Sequence, residues 1–478
     1  METHSSRLAR SKFLLLVFAM ACLRVCHFHL LWADEDYHLA AAIHILHGQV
    51  PYRDFWYDKP PLNAVYYLLI GGYWGWPLRL LDAAYIVACC CVAYRLAKRW
   101  WGPREGRAAA LLLAFFTTFY LPSAVIPFAA DALMILPQLA AVYYAAAGRA
   151  FWAGIYSGIA FLVNAKGLFV LAICGVWLWA ELPVLILGFV LPVAAGAIWA
   201  VATGALAGYW EQVWRWGWLY ARESPVTHPF RVGVVRTADW LGFHAALLAG
   251  SICAFTKMSA SHRWRLGVWL AVSYASVCLG TRFAPHYFFQ LLPGMVIMAS
   301  RGVVLAFERH RKIAAVVVAV LLVVPLVRFG PRYAMLAADD IEHHAPHWSD
   351  VVMDLDSQAV ARQILAKKKP GDTLFVWGYR PDIYVYTRLS SDGKFWDSQP
   401  LTGVPADRHL SAIEPIYGGP AAANRREFVR SHPTFFVDGL GLLNPRLKPG
   451  VYPELRPWLA GYQLIGRTKL SLIYCRVE

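Results

Sequence analysis

The sequence predicts a mainly α-helical protein that crosses a membrane many times and ends in a small α/β domain. Of its 478 residues, 58% are hydrophobic and 16% are charged, a balance typical of polytopic membrane proteins. Apolar runs suited to membrane helices recur over residues 13–329, and the composition becomes polar and proline-rich after residue 330. We therefore expect a transmembrane domain over 1–330 and an extracytoplasmic soluble domain over 331–478.

The net charge of +15 has a simple explanation in such a protein. Basic residues in the connections orient the helices and contact lipid headgroups, so the charge does not predict a nucleic-acid partner. Of the nine cysteines, Cys475 alone falls outside the apolar runs, so the soluble domain has no disulfide framework.

The first apolar run, 13–31, is expected to be a retained membrane helix. Arg7, Arg10 and Lys12 precede it, which predicts a cytoplasmic N-terminus and places the next stretch outside. No small-residue cleavage site precedes that charged stretch, so a removed signal peptide is disfavoured.

About eleven spans are predicted, and the connections assigned to the cytoplasm are basic. Besides 13–31 they are 79–97, 107–121, 129–147, 150–163, 166–180, 182–203, 238–256, 264–280, 285–304 and 312–329. The apolar segment 60–77 is either a crossing or a juxtamembrane or re-entrant segment. Glycines interrupt it, and a crossing would put the basic residues of 98–107 outside, so we favour the second interpretation.

Two outer loops follow from this topology. The first, 32–64, has the sequence WADEDYHLAAAIHILHGQVPYRDFWYDKPPLNA. Its DYHLAAAIHILHG part predicts a helix along the interface that ends at Gly48. The second, about 205–237, is rich in tryptophan and tyrosine and predicts another interfacial helix.

The C-terminal domain shows strand patterns but no catalytic motif. Residues 373–378 and 432–439 predict buried strands, 464–477 predicts a hairpin, and PDIYVYTRL predicts a helix start or a strand. The histidines 343, 344 and 347 have a spacing similar to metal ligands, although a solvated linker is the more common meaning. We assign this domain no chemistry.

The predicted topology sorts the ionisable residues near helix ends onto the outer side. They are Asp34, Glu35, Asp58, Lys59, Asp131, Lys166, Arg282 and His286, together with Asn164. Each has a structural alternative, such as a helix cap, a snorkelling lysine, a core histidine or a headgroup anchor. As a set, carboxylates can accept a hydroxyl proton while cations stabilise a phosphate leaving group, which suits a lipid-borne anionic substrate.

The motifs of the first outer loop are those of a known superfamily. W-x-DE-x-x-Y-x-x-A followed by H-G-x-x-P-Y-R-D-x-x-x-x-K-P-P-L resembles the first outer loop of GT-C type membrane glycosyltransferases. The most similar group is the protein mannosyltransferase and lipid A aminoarabinose transferase superfamily, bacterial glycosyltransferase family 39-like. A-A-D-A-L at 129–133, N-A-K-G at 164–167 and R-F-x-x-H-Y-x-x-x-x-L-P at 282–293 resemble its later elements, so the likeness covers about residues 10–310.

The resemblance implies an inner-membrane hexosyl- or pentosyltransferase. It would take a sugar from a polyprenyl-phosphate donor, with inversion, to a lipid, glycan or protein acceptor on the outer face. By position, Asp34 would be the catalytic base or an acid that orients the acceptor, Glu35 its neighbour and Asp131 a second acid. The residues for the donor phosphate or the acceptor would be Lys59, Lys166, Arg282 and His286, with Arg53 beside them. Some relatives bind a divalent metal cation and some do not, so metal use stays open. The C-terminal domain carries no acceptor signature.

Other classes of membrane protein are alternatives. A transporter or flippase of lipid-linked substrates would place charges near the bilayer midplane and show internal repeats, neither of which is evident. A polysaccharide ligase would favour arginines in its outer loops. A phosphoethanolamine transferase would need a threonine nucleophile among metal ligands in its soluble domain.

Overall fold

The computed structural model describes residues 4–120, 127–223, 226–342 and 348–477. The histidines 343, 344 and 347 therefore lie outside the described residues. In chain order the helices are α1 (His4–Val25), α2 (Glu35–Leu46), α3 (Leu62–Leu68), α4 (Trp76–Trp100), α5 (Pro103–Phe116), α6 (Ala130–Leu133), α7 (Ile135–Ala146), α8 (Ala150–Val163), α9 (Gly167–Trp177), α10 (Leu182–Ala202), α11 (Leu206–Tyr209), α12 (Trp216–Arg222), α13 (Pro229–Phe243), α14 (Ala245–Phe255), α15 (Ala260–Cys278), α16 (Leu292–Glu342), α17 (Ser349–Leu365), α18 (Asp382–Thr387), α19 (Gln399–Thr402), α20 (Gly418–Phe428) and α21 (Leu455–Leu459).

Shorter helical turns and four strands complete the chain. A π-helical segment, Trp210–Arg215, joins α11 to α12, and 3₁₀ turns occur at Trp179–Glu181, Pro285–Gln290, Ala406–Arg408, Pro445–Leu447 and Pro449–Val451. The strands are β1 (Leu374–Trp377), β2 (Phe435–Asp438), β3 (Tyr462–Arg467) and β4 (Leu472–Arg476). They form one sheet in the order β1-β2-β4-β3, with β1 and β2 parallel and the other pairs antiparallel.

The described residues divide into two compact units. Unit 1 comprises Met1–Phe28, Trp76–Gly196 and Ser224–His344, and unit 2 comprises His29–Gly75, Ala197–Glu223 and Ala345–Glu478. The first outer loop and part of the second thus pack in the same unit as the C-terminal residues. The predicted domain limits at 330 and 331 concern the membrane topology and stay a prediction.

Three described helices are long and apolar enough to cross a membrane. They are Trp76–Trp100, Trp179–Ala202 and Leu292–Ala338, and the pair Pro229–Phe243 and Ala245–Phe255, bent by 87°, would make a fourth. Shorter apolar helices are Ala130–Ala146, Ala150–Val163 and Gly167–Trp177. The predicted total of about eleven spans stays a prediction.

Several predicted elements are confirmed. The helix predicted in the first loop is α2, and Gly48 follows it with a φ of +83°. Residues 35–44 of α2 are buried in the protein, and its predicted position along the membrane interface stays a prediction. The predicted strands are β1 and β2, the hairpin is β3 and β4, and PDIYVYTRL forms the helix α18. At seven residues α3 spans only about 10 Å, so 60–77 contains no transmembrane helix.

One predicted boundary is wrong. The first helix ends at Val25, and turns follow it, so residues 26–31 do not belong to that helix. The last two predicted runs both fall in α16, where the non-helical dihedral angles of His310 mark a kink between two helices, in the gap predicted between 304 and 312. The second part of α16 contains Pro325 and Pro331 and continues through Gly330 to Glu342, so the polar composition begins within a helix.

In unit 1, α14 and α16 approach each other through glycines. A Cβ placed on Gly302 would lie 1.8 Å from the carbonyl oxygen of Gly250. Small residues allow such close backbone contact between apolar helices, where van der Waals packing supplies much of the association.

Replacement of this glycine should destabilise unit 1. We expect Gly302→Ala to cost about 1–3 kcal/mol through overpacking and to lower the melting temperature in detergent. Gly267→Ala in α15 is the matched control, since its Cβ would meet nothing within 4 Å. In a helix that control should be neutral or stabilising by up to about 1 kcal/mol. Equal melting temperatures for the two variants would contradict the packing argument.

The predicted orientation can be tested at positions that the structure shows to be exposed. A cysteine at His47, in the first outer loop, should react in intact cells with a membrane-impermeant thiol reagent. A cysteine at Lys98 should react only after the membrane is permeabilised. Both variants are made in a background without the native cysteines, and the reverse labelling pattern would overturn the orientation.

Candidate active site

The beginning of the first loop is fixed to helix α17 in unit 2. The backbone N–H of Leu31 donates to Oδ1 of Asp354 at 3.3 Å, and Nε2 of Gln358 donates to the carbonyl oxygen of His29 at 2.9 Å. The loop therefore enters α2 from a defined direction.

Asp34 stands at the N-terminus of α2 in an unusual backbone conformation. Its φ of +78° is rare for a non-glycine residue and costs on the order of 1–3 kcal/mol. The turn is held by the carboxylate of Glu35, whose Oε1 accepts from the N–H of Trp32 at 2.9 Å. Glu35 is buried, whereas Asp34 is exposed and its carboxylate has no hydrogen-bond partner among the described residues. The fold thus holds a solvated carboxylate in a fixed place.

Asp34 lines a cavity of about 350 Å³ within unit 2. The volume is at the small end of the range for ligand pockets. Three parts of the chain form it. The first loop supplies Ala33, Asp34, Asp58 and Lys59; α12 supplies Trp216, Gly217 and Tyr220; the C-terminal residues include Met353, Tyr379, Arg380, Gln399, Asp407 and His409. Aromatic rings together with carboxylate, amide and cationic groups suit a polar ligand with an apolar face.

The loop's end brings Lys59 into the cavity beside Asp58. The Lys59 Nζ lies 3.3 Å from Oδ2 of Asp58, and the lysine side chain is 42% exposed. The same Asp58 oxygen accepts from Nε2 of Gln399 at 3.3 Å. An exposed ammonium group paired with a carboxylate can still attract a phosphate.

Two other polar residues at the cavity, Arg380 and His409, form hydrogen bonds within the protein. Arg380 donates from Nε to Oγ of Ser357 at 2.9 Å and lies 3.4 Å from Oδ2 of Asp356, so its charge is paired. His409 bonds the carbonyl oxygen of Val404 at 2.9 Å, and burial lowers the pKa of its imidazole to about 4. His409 is therefore neutral near pH 7.

Buried carboxyl groups lie around the entry of the loop. Burial, followed by the negative charge of Asp382, raises the pKa of Asp36 well above its usual value. Burial and Asp382 also raise the pKa of Asp354 to about 8. The raised pKa values favour the neutral forms of both carboxyl groups, which limits the negative charge behind Asp34.

Unit 1 contains a second cluster, centred on Asp131. Its Oδ1 accepts from Nε2 of Gln290 at 3.0 Å, from Nδ2 of Asn164 at 3.2 Å and from Nζ of Lys166 at 3.3 Å. Oδ2 lies 3.8 Å from Nε2 of His286.

The lysine of this cluster is enclosed. The Lys166 Nζ lies 3.3 Å from the centroid of the Tyr287 ring, and Lys166 is 8% exposed. Its carboxylate and aromatic neighbours orient the ammonium group and compensate its burial.

The structure distributes the predicted site residues as follows. Asp34 and Lys59 share the cavity of unit 2, and Asp131, Lys166 and His286 share the cluster of unit 1. Arg282 lies in the connection before His286 and is partly exposed. Glu35 and Arg53 do not line the cavity.

Arg53 has an evident structural partner. Its Nε lies 2.7 Å from Oδ1 of Asp54, and its NH1 donates to the carbonyl oxygen of Thr203 at 2.9 Å. This arrangement ties the first loop to the chain after α10.

Sequence reasoning missed the contribution of the C-terminal residues to the cavity. Tyr379 and Gln399 line the cavity but belong to no recognisable motif. The one sequence signal near Gln399 is the segment FWDSQP (395–400), which mixes aromatic and polar residues as the first loop does. No group of three or more His, Cys, Asp or Glu side chains within the described ranges is placed to hold a metal ion.

The Asp131–Lys166 pair should couple strongly in a double-mutant cycle. Asp131→Asn leaves a buried lysine without its counter-charge and should destabilise the protein by about 3–5 kcal/mol. Lys166→Met in that background should recover much of the loss, because no buried charge then remains unpaired. Melting temperatures of the single and double variants measure the coupling, and additive effects would contradict the pairing.

Comparison with known proteins was made by sequence and by structure. No protein-family model matches the chain, and no curated protein sequence matches it. The structure is similar to that of ArnT from Cupriavidus metallidurans in the apo state, with a TM-score of 0.61, 14% identity and coverage of 99% of this chain and 98% of that one. For ArnT bound to undecaprenyl phosphate the TM-score is 0.63, the identity 15% and the coverage 99% of both chains.

An archaeal protein is also similar. The oligosaccharyltransferase AglB from Archaeoglobus fulgidus, in complex with an inhibitory peptide and a dolichol-phosphate, gives a TM-score of 0.51 at 12% identity. The match covers 92% of this chain and 70% of that one. The chain thus shares its fold with ArnT and with AglB, which confirms the predicted resemblance at the level of the fold.

Proposed function

We propose that the protein is an integral membrane glycosyltransferase that takes a sugar from a polyprenyl-phosphate donor on the outer face of the membrane. The acceptor is a lipid, a glycan or a protein. The observation that carries the proposal is the exposed Asp34 carboxylate, without a hydrogen-bond partner among the described residues, in the same cavity as the Lys59 ammonium group. The shared fold supports it, since one ArnT structure holds undecaprenyl phosphate.

Asp34 is the catalytic base in this proposal. Its carboxylate accepts the proton of the acceptor hydroxyl while the acceptor oxygen forms a bond to the anomeric carbon. The bond from that carbon to the phosphate oxygen breaks at the same time, and polyprenyl phosphate leaves. A single displacement of this kind inverts the anomeric configuration. The fixed backbone of Asp34 keeps the base in place before the substrate arrives.

Lys59 stabilises the departing phosphate. Negative charge grows on the phosphate oxygen as the sugar bond breaks, and a nearby ammonium group lowers the energy of that transition state. Asp58 pairs with the lysine at the cavity wall, and Gln399 holds Asp58 through a hydrogen bond.

The unit 1 cluster has a separate role. Asp131 already accepts from three donors, so it suits the orientation of Lys166 better than proton abstraction. Lys166, His286 and Arg282 then serve the donor phosphate or the acceptor, and Glu35 and Arg53 support the loop that carries Asp34 and Lys59.

Asp34→Asn should abolish sugar transfer and leave the protein folded. The amide cannot take the hydroxyl proton, so the turnover number should fall by about 10²–10⁴-fold. Turnover is measured with purified protein and radiolabelled polyprenyl-phosphate sugar, as release of polyprenyl phosphate.

The matched control is Asp392→Asn, an exposed aspartate of unit 2 that does not line the cavity. It should retain full turnover. Undiminished activity in Asp34→Asn would overturn the assignment of the base. Movement of the intact donor across vesicle membranes without its chemical conversion would instead identify a flippase.

A further inference from the structure

We propose that Asp397 is a positioning residue that holds Asp58, and through it the Lys59 ammonium group, in the arrangement that receives the donor phosphate. This inference rests on the function proposed above, and it gives the C-terminal residues a part in the chemistry. Asp397 itself does not line the cavity.

The segment 394–399 is hydrogen-bonded to the end of the first loop. The N–H of Trp56 donates to the carbonyl oxygen of Lys394 at 2.6 Å, and Nε1 of Trp396 donates to the carbonyl oxygen of Trp56 at 2.5 Å. Both tryptophan side chains are fully buried. The loop and this segment therefore move together.

Gln399 extends this junction to the charged residues. Its Nε2 donates to Oδ2 of Asp58, and its Oε1 accepts from the N–H of Ala406 at 2.8 Å. The amide is thus fixed at both ends. Since Lys59 shares the same Asp58 oxygen, the position of Gln399 sets the position of the ammonium group.

Asp397 determines where Gln399 begins its helix. Its Oδ1 accepts from the N–H of Gln399, the first residue of the short helix α19, at 2.7 Å. Its Oδ2 is buried and has no hydrogen-bond partner among the described residues, and the residue is 2% exposed. A serine could accept the same hydrogen bond without leaving a buried carboxylate oxygen unpaired.

The groups around Asp397 show how its charge can affect Lys59 through Asp58. Asp58 from the first loop is the charged neighbour, and the phenols of Tyr37 in α2, Tyr379 after β1 and Tyr384 in α18 also face it. Burial raises the pKa of those phenols well above its usual value, so they stay neutral near pH 7.

The protonation state of Asp397 then controls Asp58. Burial, with a smaller contribution from Asp58, raises the pKa of Asp397 to about 7. Below that pH the carboxyl group is neutral and tolerates the Asp58 carboxylate beside it. Above it the two negative charges repel each other, which disturbs the Asp58–Lys59 pair and adds negative charge near the donor phosphate.

The test is the pH dependence of the donor KM in Asp397→Asn. For the native protein we expect KM to rise about 5–10-fold between about pH 6 and about pH 8, following ionisation of the carboxyl group. Asparagine keeps the oxygen that accepts from Gln399 but cannot ionise, so its KM should stay flat over the same range. The control, Asp392→Asn, should keep the native profile. An Asp397→Asn profile identical to the native one would overturn the proposal.

A second pair of variants tests the physical connection. Asp397→Ala and Gln399→Met should each raise the donor KM by about 10-fold at pH 6.5 or below, where one hydrogen bond is lost. Their combination should raise it little further, because both act through Asp58. Additive effects, or a loss of turnover number at unchanged KM, would contradict a positioning role.

Binding of undecaprenyl phosphate to the purified protein separates this inference from the function itself. Titration by intrinsic tryptophan fluorescence gives an affinity that needs no sugar transfer. A native protein that binds the lipid with the expected pH dependence but transfers no sugar would refute the function and keep the positioning role. Active native protein with unchanged variants would refute only the positioning role, and absence of binding would refute both.

Discussion

The hydrogen bonds between residues 56–58 and the segment 394–399 are the contact on which the cavity of unit 2 depends. They join the end of the first loop to a part of the chain more than three hundred residues away. Helix α17 holds the other end of the loop through Asp354 and Gln358. Because both ends are anchored, the loop presents Asp34 and Lys59 in fixed positions. A loop of this charge left mobile would lose considerable entropy each time it bound a substrate.

The carboxylates of this protein differ in their burial and in their neighbours, and these differences decide the role of each. Asp34 is exposed and accepts no hydrogen bond from the described residues, so it is available as a base. Asp131 is buried and its Oδ1 accepts from three donors, one of which is Lys166, so its charge balances that of the lysine. Asp36 and Asp354 are buried, and burial together with the charge of Asp382 raises the pKa of both, which favours their neutral forms. Identical side chains thus serve as base, counter-ion and neutral support according to their surroundings.

The sequence predicted much of the fold because apolar periodicity and buried strands leave local signals. Helix α2, the strands β1 and β2 and the terminal hairpin were all found where their patterns indicated. The motif residues Asp34 and Lys59 were also recognised locally. The far wall of the cavity was not, since Tyr379 and Gln399 reach it only through tertiary packing. The continuation of α16 past Gly330 escaped prediction for a related reason, because composition changes there while the backbone hydrogen bonds do not.

The conformation of Asp34 argues that the turn serves the site rather than the fold. A glycine would adopt a φ of +78° at little steric cost, and an aspartate there costs stability. The Asp34 carboxylate makes no capping hydrogen bond to α2, so no such bond offsets the free-energy cost of the strained backbone. Glu35 and Asp36, its neighbours, instead turn inward and hold the turn closed through backbone N–H groups. Two buried acids and a strained backbone therefore support one exposed carboxylate. Stability alone does not explain this arrangement, whereas the catalytic role proposed for Asp34 needs a carboxylate in a fixed position.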